Sequence, residues 1–230
     1  MPTRIDTKEQ IAVITWYVLS AIGLCGVLSF GIIEYHASKG EEQFMSIAVI
    51  YGSTRENGNT EWLTDQVING LSVEKIYLNE YSILPIKDER HTVAGFQEVA
   101  DDYNSIIAKV LKHDILIFST PIYWYSMSGT MKLFIDRWSQ TLRDKNFPNF
   151  RAELGKKTAY VIAVGGDKPT IKALPMIQQF QYICDFFGMT FESYLIGKAS
   201  KPGEMQLDTK AIAAANQMKL ALKTHLESKS

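Results

Sequence analysis

Residues 114–129, DILIFSTPIYWYSMSG, set two unlike pieces side by side. Asp114–Ser119 is a compact apolar run of strand length, the pattern of a strand buried on both faces rather than on one. Beyond Thr120 and Pro121 the character changes, and three consecutive aromatics, Tyr123, Trp124 and Tyr125, stand in a loop closed by Ser128 and Gly129. Adjacent loop side chains cannot all point inward, so core packing is an awkward account of them. Flat, partly exposed aromatic surface suits a planar heterocycle, whose polar edge the loop amides can bond. An aromatic-rich subunit interface is the alternative reading of the same motif.

Working outward, short β-rich runs alternate with longer helical patterns from Met45 onward. Ser46–Tyr51, Val73–Leu78, Asp114–Ser119, Ala159–Val164 and Thr190–Ile196 read as five strands. Helices are expected over Glu61–Leu71, through about His113, and over Gly129–Thr141, Thr170–Phe187 and Thr209–Leu226. Met131, Phe134, Ile135 and Trp138 recur at helical spacing and form an apolar stripe. Pro175 demands a place in a first helical turn or a kink. Strands alternating with helices imply a parallel sheet covered on both faces, and right-handed crossovers make a doubly wound α/β sheet the simplest arrangement.

In such a sheet ligands bind beyond the carboxyl ends of the strands, where the strand order reverses. The unusual residues fall there. The loop after the first strand is GSTRENGNT, residues 52–60: Ser53, Thr54, Asn59 and Thr60 offer side-chain donors, Arg55 a planar cation, and Gly52 and Gly58 bracket them. Free amides at the following helix N-terminus favour a phosphate at this place, although Asn59 or Thr60 capping an ordinary helix is a reading the residues also allow. The loop is not GxxxxGK[ST], since Asn59 stands where lysine is required, nor GxGxxG, since Ser53 and Thr54 follow Gly52. After the fourth strand, Gly165-Gly166-Asp167 allows close backbone approach.

The bulk properties exclude several classes. A formal charge of −1 and a pI near 6.4 give no basic surface for nucleic acid. The two cysteines, Cys25 and Cys184, form no C-x-x-C, and four scattered histidines offer no ligand spacing, so neither a disulfide framework nor a metal site is expected.

GSTRENGNT and TPIYWYSMSGTMKLFIDRW (120–138), at this spacing and after these strands, resemble the flavodoxin-like NAD(P)H-dependent FMN reductase family, which includes relatives of the iron–sulfur flavoproteins. The resemblance runs from Met45 to the C-terminus. It implies a flavodoxin-like fold with a five-stranded parallel sheet in the order 2-1-3-4-5. It also implies FMN as cofactor, NADPH or NADH as reductant, a quinone or other small molecule as acceptor, and a homodimer or homotetramer. Ser53, Arg55, Gly58, Asn59 and Thr60 would then surround the phosphate. Pro121, Ile122, Tyr123, Trp124, Tyr125, Ser126 and Met127 would line the isoalloxazine, and Gly165, Gly166 and Asp167 would close the site. The flavin performs the chemistry, so no catalytic side chain is named. Iron–sulfur flavoproteins carry cluster cysteines after the second strand, whereas SILPIKDERHTVAGF (82–96) has none, which excludes a cluster there. Lys87, Arg90 and His91 of that stretch are either a solvated loop or contacts for an anionic substrate. A non-enzymatic electron-transfer or redox-sensing flavoprotein is the competing function. Flavodoxins usually have a shorter, hydroxyl-rich phosphate loop and a strongly acidic surface, and this chain has neither.

Ahead of the domain, residues 11–33 carry no charged side chain, and a helix of that length, about 34 Å, spans a bilayer. Two expectations stand for residues 1–44: a membrane anchor, or translation that begins at Met45, preceded by Lys39-Gly40-Glu41-Glu42. The flanking charges, Arg4 and Lys8 before the run and Lys39 after it, lean toward placing the rest of the chain outside the cytoplasm, whereas a nicotinamide reductant implies that residues 45–230 face the cytoplasm.

Overall fold

The structure is a computed structural model that describes residues 45–227. The apolar stretch 11–33, Cys25 and the question of an anchor lie outside the described residues.

Five strands form one sheet: β1 (Ile47–Tyr51), β2 (Val73–Tyr77), β3 (Ile115–Pro121), β4 (Thr158–Gly165) and β5 (Thr190–Lys198). Their order is β2-β1-β3-β4-β5 and every pairing is parallel, as expected from the sequence. β1, β3 and β4 are buried almost throughout because helices cover both faces. Successive side chains point to opposite faces. Ala48, Ile50, Leu116, Phe118, Val161 and Ala163 therefore join one core, while Ile47, Val49, Ile115, Ile117, Tyr160 and Ile162 join the other.

The second core is closed by α1 (Asn59–Ile68) and by the last helix, Thr209–Glu227, here α8. The first is closed by α2 (Tyr103–Val110), α3 (Gly129–Asp136), α4 (Trp138–Thr141), α5 (Phe150–Gly155) and α7 (Leu174–Phe187), with α6 (Pro169–Lys172) leading into α7.

Three local expectations are refined. The helix read over Gly129–Thr141 is two helices meeting at Arg137, whose side chain is buried and turned to the 82–102 loop. The helix read from Thr170 is divided at Ala173, with Pro175 in the first turn of α7, where its missing N–H costs nothing. The short α5 was not foreseen. Its turn of helix holds Phe150 and Leu154 against the core, too brief a segment for periodicity to register.

The 82–102 loop is closed at its base, where Ser82 N donates to Asp102 Oδ2 at 2.8 Å and Asp102 N to Ser82 O at 2.9 Å. Arg137 holds it down through Asp101 Oδ2 at 2.5 Å and Leu84 O at 3.0 Å, and stacks over Tyr103. Within the loop the cations are matched locally: Lys87 to Glu89, and Arg90 bidentate to Asp88.

Candidate cofactor site

The chain reverses its progress across the sheet between β1 and β3, and the loops after these strands meet there. Gly52 N donates to Ser119 O at 2.8 Å, and Ser128 Oγ donates to Gly52 O at 2.6 Å. The same Ser128 hydroxyl accepts Met131 N and so caps α3, while Ser128 N donates to Thr120 Oγ1. Ile122 N donates to Val164 O, which ties the β3 loop to the β4 loop. A Cβ at Gly52 would stand 2.7 Å from Ser128 Oγ and 2.9 Å from Met131 Cβ, so this junction closes only around glycine.

Two cavities flank Ile122, Gly165 and Gly166. One, about 160 Å³, is walled by Ser53, Arg55, Gly58, Asn59, Thr60, Pro121 and Tyr123 and, from beyond β5, by Ala199 and Ser200. The other, about 230 Å³, is walled by Trp124, Tyr125, Asp167, Pro169 and Lys172. The residues expected at the phosphate thus share one side of the glycine pair with Pro121 and Tyr123, while Trp124 and Tyr125 stand on the other.

On the first side, Gly58 is the N-cap of α1 and supplies no capping side chain. The first-turn amides have no intrahelical acceptors and present positive partial charge. Arg55 is exposed, and its guanidinium makes no hydrogen bond or ion pair among the described residues. The turn itself is braced from within: Ser53 Oγ accepts Arg55 N and donates to Arg55 O. Asn59, in the wall of this cavity, also serves the fold. Its amide donates to Lys201 O at 2.8 Å and its carbonyl accepts Gly203 N, so it anchors the loop after β5.

On the second side, Tyr123 and Ser126 exchange both backbone hydrogen bonds, closing a two-residue turn with Trp124 and Tyr125 at its tip. Both tip residues have positive φ, 48° and 65°. Such conformations cost non-glycine residues about 1–2 kcal/mol each and concentrate at functional positions. The turn holds its rings outward: Trp124 is 94% exposed, Tyr123 49% and Tyr125 44%. Tyr125 Oη donates to Asp167 Oδ2 at 2.9 Å, and Lys172 pairs with the same carboxylate while lying over the Tyr125 ring. Lys172 first, and Tyr125 second, hold the Asp167 carboxyl below the usual range, and Asp167 raises Lys172. Ser126 and Met127 wall neither cavity. Ser126 closes the turn through its backbone, and Met127 is buried in the first core.

Sequence reasoning missed Ser200, Ala199, Pro169 and Lys172. A Cβ at Gly166 would meet Ser200 Oγ at 2.1 Å, so the loop after β5 presses on the glycine pair. The signal was the turn-rich run Ser200-Lys201-Pro202-Gly203 at the carboxyl end of β5, the same sheet edge as the other loops. Cys184 is buried, and burial pushes its thiol up to about 12, an inert group.

An uncapped helix N-terminus beside an unpaired arginine, a glycine pair that admits close approach and an outward aromatic turn fit a phosphate-bearing planar cofactor. Comparison with known proteins agrees. The family profile described as NADPH-dependent FMN reductase matches residues 45–199. A Bacillus subtilis protein, YwqN, named for an assigned NAD(P)H-dependent FMN-containing oxidoreductase activity, is 55% identical over 174 residues, 76% of this chain and 96% of the relative. An iron–sulfur flavoprotein of Methanocaldococcus jannaschii is 28% identical over 131 residues, 54% of this chain and 64% of that protein. Among solved structures, the Trp repressor binding protein of Bacillus subtilis superposes with a TM-score of 0.65 at 48% identity, covering 75% of this chain and 97% of that one.

Proposed function

The chain belongs to the NADPH-dependent FMN reductase family, and from that membership we propose that it passes electrons from its FMN to a quinone or another small planar acceptor. FMN is its cofactor and NAD(P)H its reductant. When bound, the flavin supplies hydride acceptance and onward electron transfer. The observation that carries the reading is the juxtaposition of Arg55 and the open α1 N-terminus with the Tyr123–Ser126 turn across Gly165 and Gly166.

In this reading the chain's own residues bind and orient. Arg55 and the amides of Gly58, Asn59 and Thr60 take the phosphate, with charge-assisted bonds and the helix dipole acting together. Ser53 keeps the loop open by folding Arg55 back onto its own hydroxyl. Gly165 and Gly166 leave room for Ile122 and Ser200, so the loops after β3 and β5 close on the β4 turn beside the ring. Tyr125, Asp167 and Lys172 brace the aromatic turn against the β4 loop. The exposed Trp124 offers a flat face to an incoming acceptor.

The rival is an electron-transfer flavoprotein that needs a separate reductase. A phosphate loop carrying arginine and a formal charge of −1 favour direct reduction by nicotinamide over that role. The family resemblance supports a homodimer or homotetramer as the working assembly. A nicotinamide reductant supports a cytoplasmic setting for residues 45–230, tethered or not by 11–33.

The acceptor is tested by rapid mixing of the pre-reduced protein with 1,4-benzoquinone under anaerobic conditions, alongside Trp124→Ala. Saturable reoxidation, with a quinone KM raised several-fold in the variant and reduction by NADPH unchanged, is the expected outcome. Absence of quinone-driven reoxidation would remove the quinone from the proposal.

A further inference from the structure

Four hydroxyl side chains, Thr64, Ser119, Thr120 and Ser128, lie buried beneath the cofactor loops, none more than 2% exposed. None of them walls either cavity beside Gly165 and Gly166. Burying a hydroxyl is unfavourable unless its hydrogen bonds are replaced, and here they are replaced throughout. Each hydroxyl has one hydrogen to give. Thr64 Oγ1 gives its own to Thr60 O at 2.8 Å, which leaves Ser119 Oγ as the donor in the 2.8 Å bond between Ser119 and Thr64. Ser128 Oγ donates to Gly52 O at 2.6 Å. Thr120 Oγ1 accepts Ser128 N at 2.9 Å and donates to Pro121 O at 3.0 Å.

These bonds run between particular places. Gly52 and Thr60 are the two ends of the phosphate loop, and the segment from Pro121 to Ser128 carries the aromatic turn. Gly52 is fastened to Ser128, at the far end of the aromatic segment. Thr60 is fastened through Thr64 to Ser119, just before its start. Both ends of the phosphate loop are thus tied by buried hydroxyls to the segment expected at the flavin ring. A molecule with a group at each end gains from engaging two subsites only when they are held at the spacing it spans. FMN is such a molecule, with a phosphate at one end and the ring at the other. Riboflavin has the ring alone.

We propose that Thr64 and Ser128 are positioning residues that set the spacing between the phosphate loop and the aromatic segment, and that this spacing makes the site select FMN over riboflavin. They act through the backbone of Thr60 and Gly52 and touch no ligand themselves. The inference rests on the placement of the phosphate at Arg55 and the α1 amides.

The experiment measures Kd for FMN and for riboflavin by flavin fluorescence quenching on Met45–Ser230. This portion contains both described cores and matches nearly the whole length of the Bacillus relative, so it can be studied by itself. In Thr64→Val, which keeps the shape and drops the hydroxyl, FMN binding is expected to weaken while riboflavin binding changes little. The preference for FMN should fall at least about fivefold, the lower end of coupling between sites. Thr64→Ser keeps the hydroxyl and should retain the parent preference, and Ser128→Ala should lower it as Thr64→Val does. A residue that only supports the fold would lower the melting temperature and weaken both flavins alike, so an unchanged preference in Thr64→Val would overturn the proposal. Loss of preference in Thr64→Ser would overturn it too, since the hydroxyl would then not be what holds the spacing. A Ser128→Ala that keeps the parent preference would overturn the part given to Ser128. Arg55→Ala separates this inference from the reading it rests on. Preference lost there but kept in Thr64→Val overturns the coupling and leaves the phosphate in place. Preference kept in Arg55→Ala overturns the placement of the phosphate, and the coupling with it.

Discussion

Two residues test the phosphate and glycine readings directly. Arg55 has no partner to lose within the described protein, so Arg55→Ala should leave the apo-protein's melting temperature unchanged. A hydrogen bond to a charged group contributes about 1.5–3 kcal/mol, which corresponds to a rise of roughly 10- to 100-fold in the FMN Kd, measured by quenching of flavin fluorescence. An unchanged Kd would move the phosphate elsewhere. At Gly166 the added methyl of alanine would stand 2.1 Å from Ser200 Oγ. Gly166→Ala should therefore weaken FMN binding or stability, and Gly166→Ala with Ser200→Gly should recover a large part of the loss. A variant that the second substitution does not help would place the obstruction on the ligand side of the glycine. The turn-rich run from Ser200 to Gly203 marks a loop after β5, but the contacts of Ser200 with Gly166 and of Asn59 with Lys201 and Gly203 depend on where that loop folds back, which no local pattern encodes.

Among the elements, the strands were the most legible because burial on both faces leaves an unbroken apolar signature, as in β3 and β4. The helices were read in their right places but not in their divisions. Helical spacing gave no sign of the role of Arg137, which is 1% exposed and pinned to an equally buried Asp101 carboxylate. Replacing it strands that carboxylate, and Arg137→Met should cost about 3–5 kcal/mol in urea unfolding. Arg137→Met with Asp101→Asn should recover part of this, and equal stabilities of the single variant and the parent would show that the ion pair does not hold the loop. The brace between the β3 and β4 loops carries a pH signature. Asp167 has a lowered pKa, so its contribution is complete above the ordinary aspartate value and is lost as pH falls through the lowered one. Lys172 has a raised pKa, so its share persists below the ordinary lysine value and is lost only as pH rises through the raised one. The ratio of FMN Kd between Asp167→Asn and the parent should be constant from about pH 5 to 9, inside those ordinary limits, and should approach unity only as pH falls through the lowered Asp167 value. Comparing the two proteins cancels the titration of the FMN phosphate itself. A ratio that changes near pH 6–7 would point to another group.

At the scale of the molecule, parallel pairing and the gathering of three loops at one sheet edge followed from the alternation of elements, and the strand order from the family resemblance that two motifs carried. The ligand edge of a doubly wound sheet is fixed by topology, so residues far apart in the chain could be assigned to one site before any contact was known. What the pattern left unread was the outer side of α7, where Tyr182 and Phe186 stay exposed, because a helix with apolar residues at most positions does not reveal which of them stay outside. The central claim is that this fold holds FMN at the β1–β3 switch point and accepts hydride there from NAD(P)H. It is tested most directly by the visible spectrum of Met45–Ser230 loaded with FMN, recorded anaerobically before and after addition of NADPH or NADH. Rapid bleaching of a bound-flavin spectrum, lost at matched FMN concentration in Arg55→Ala, is the expected result. A bound flavin that stays oxidised with both nucleotides, or a protein that takes up no FMN, would contradict it.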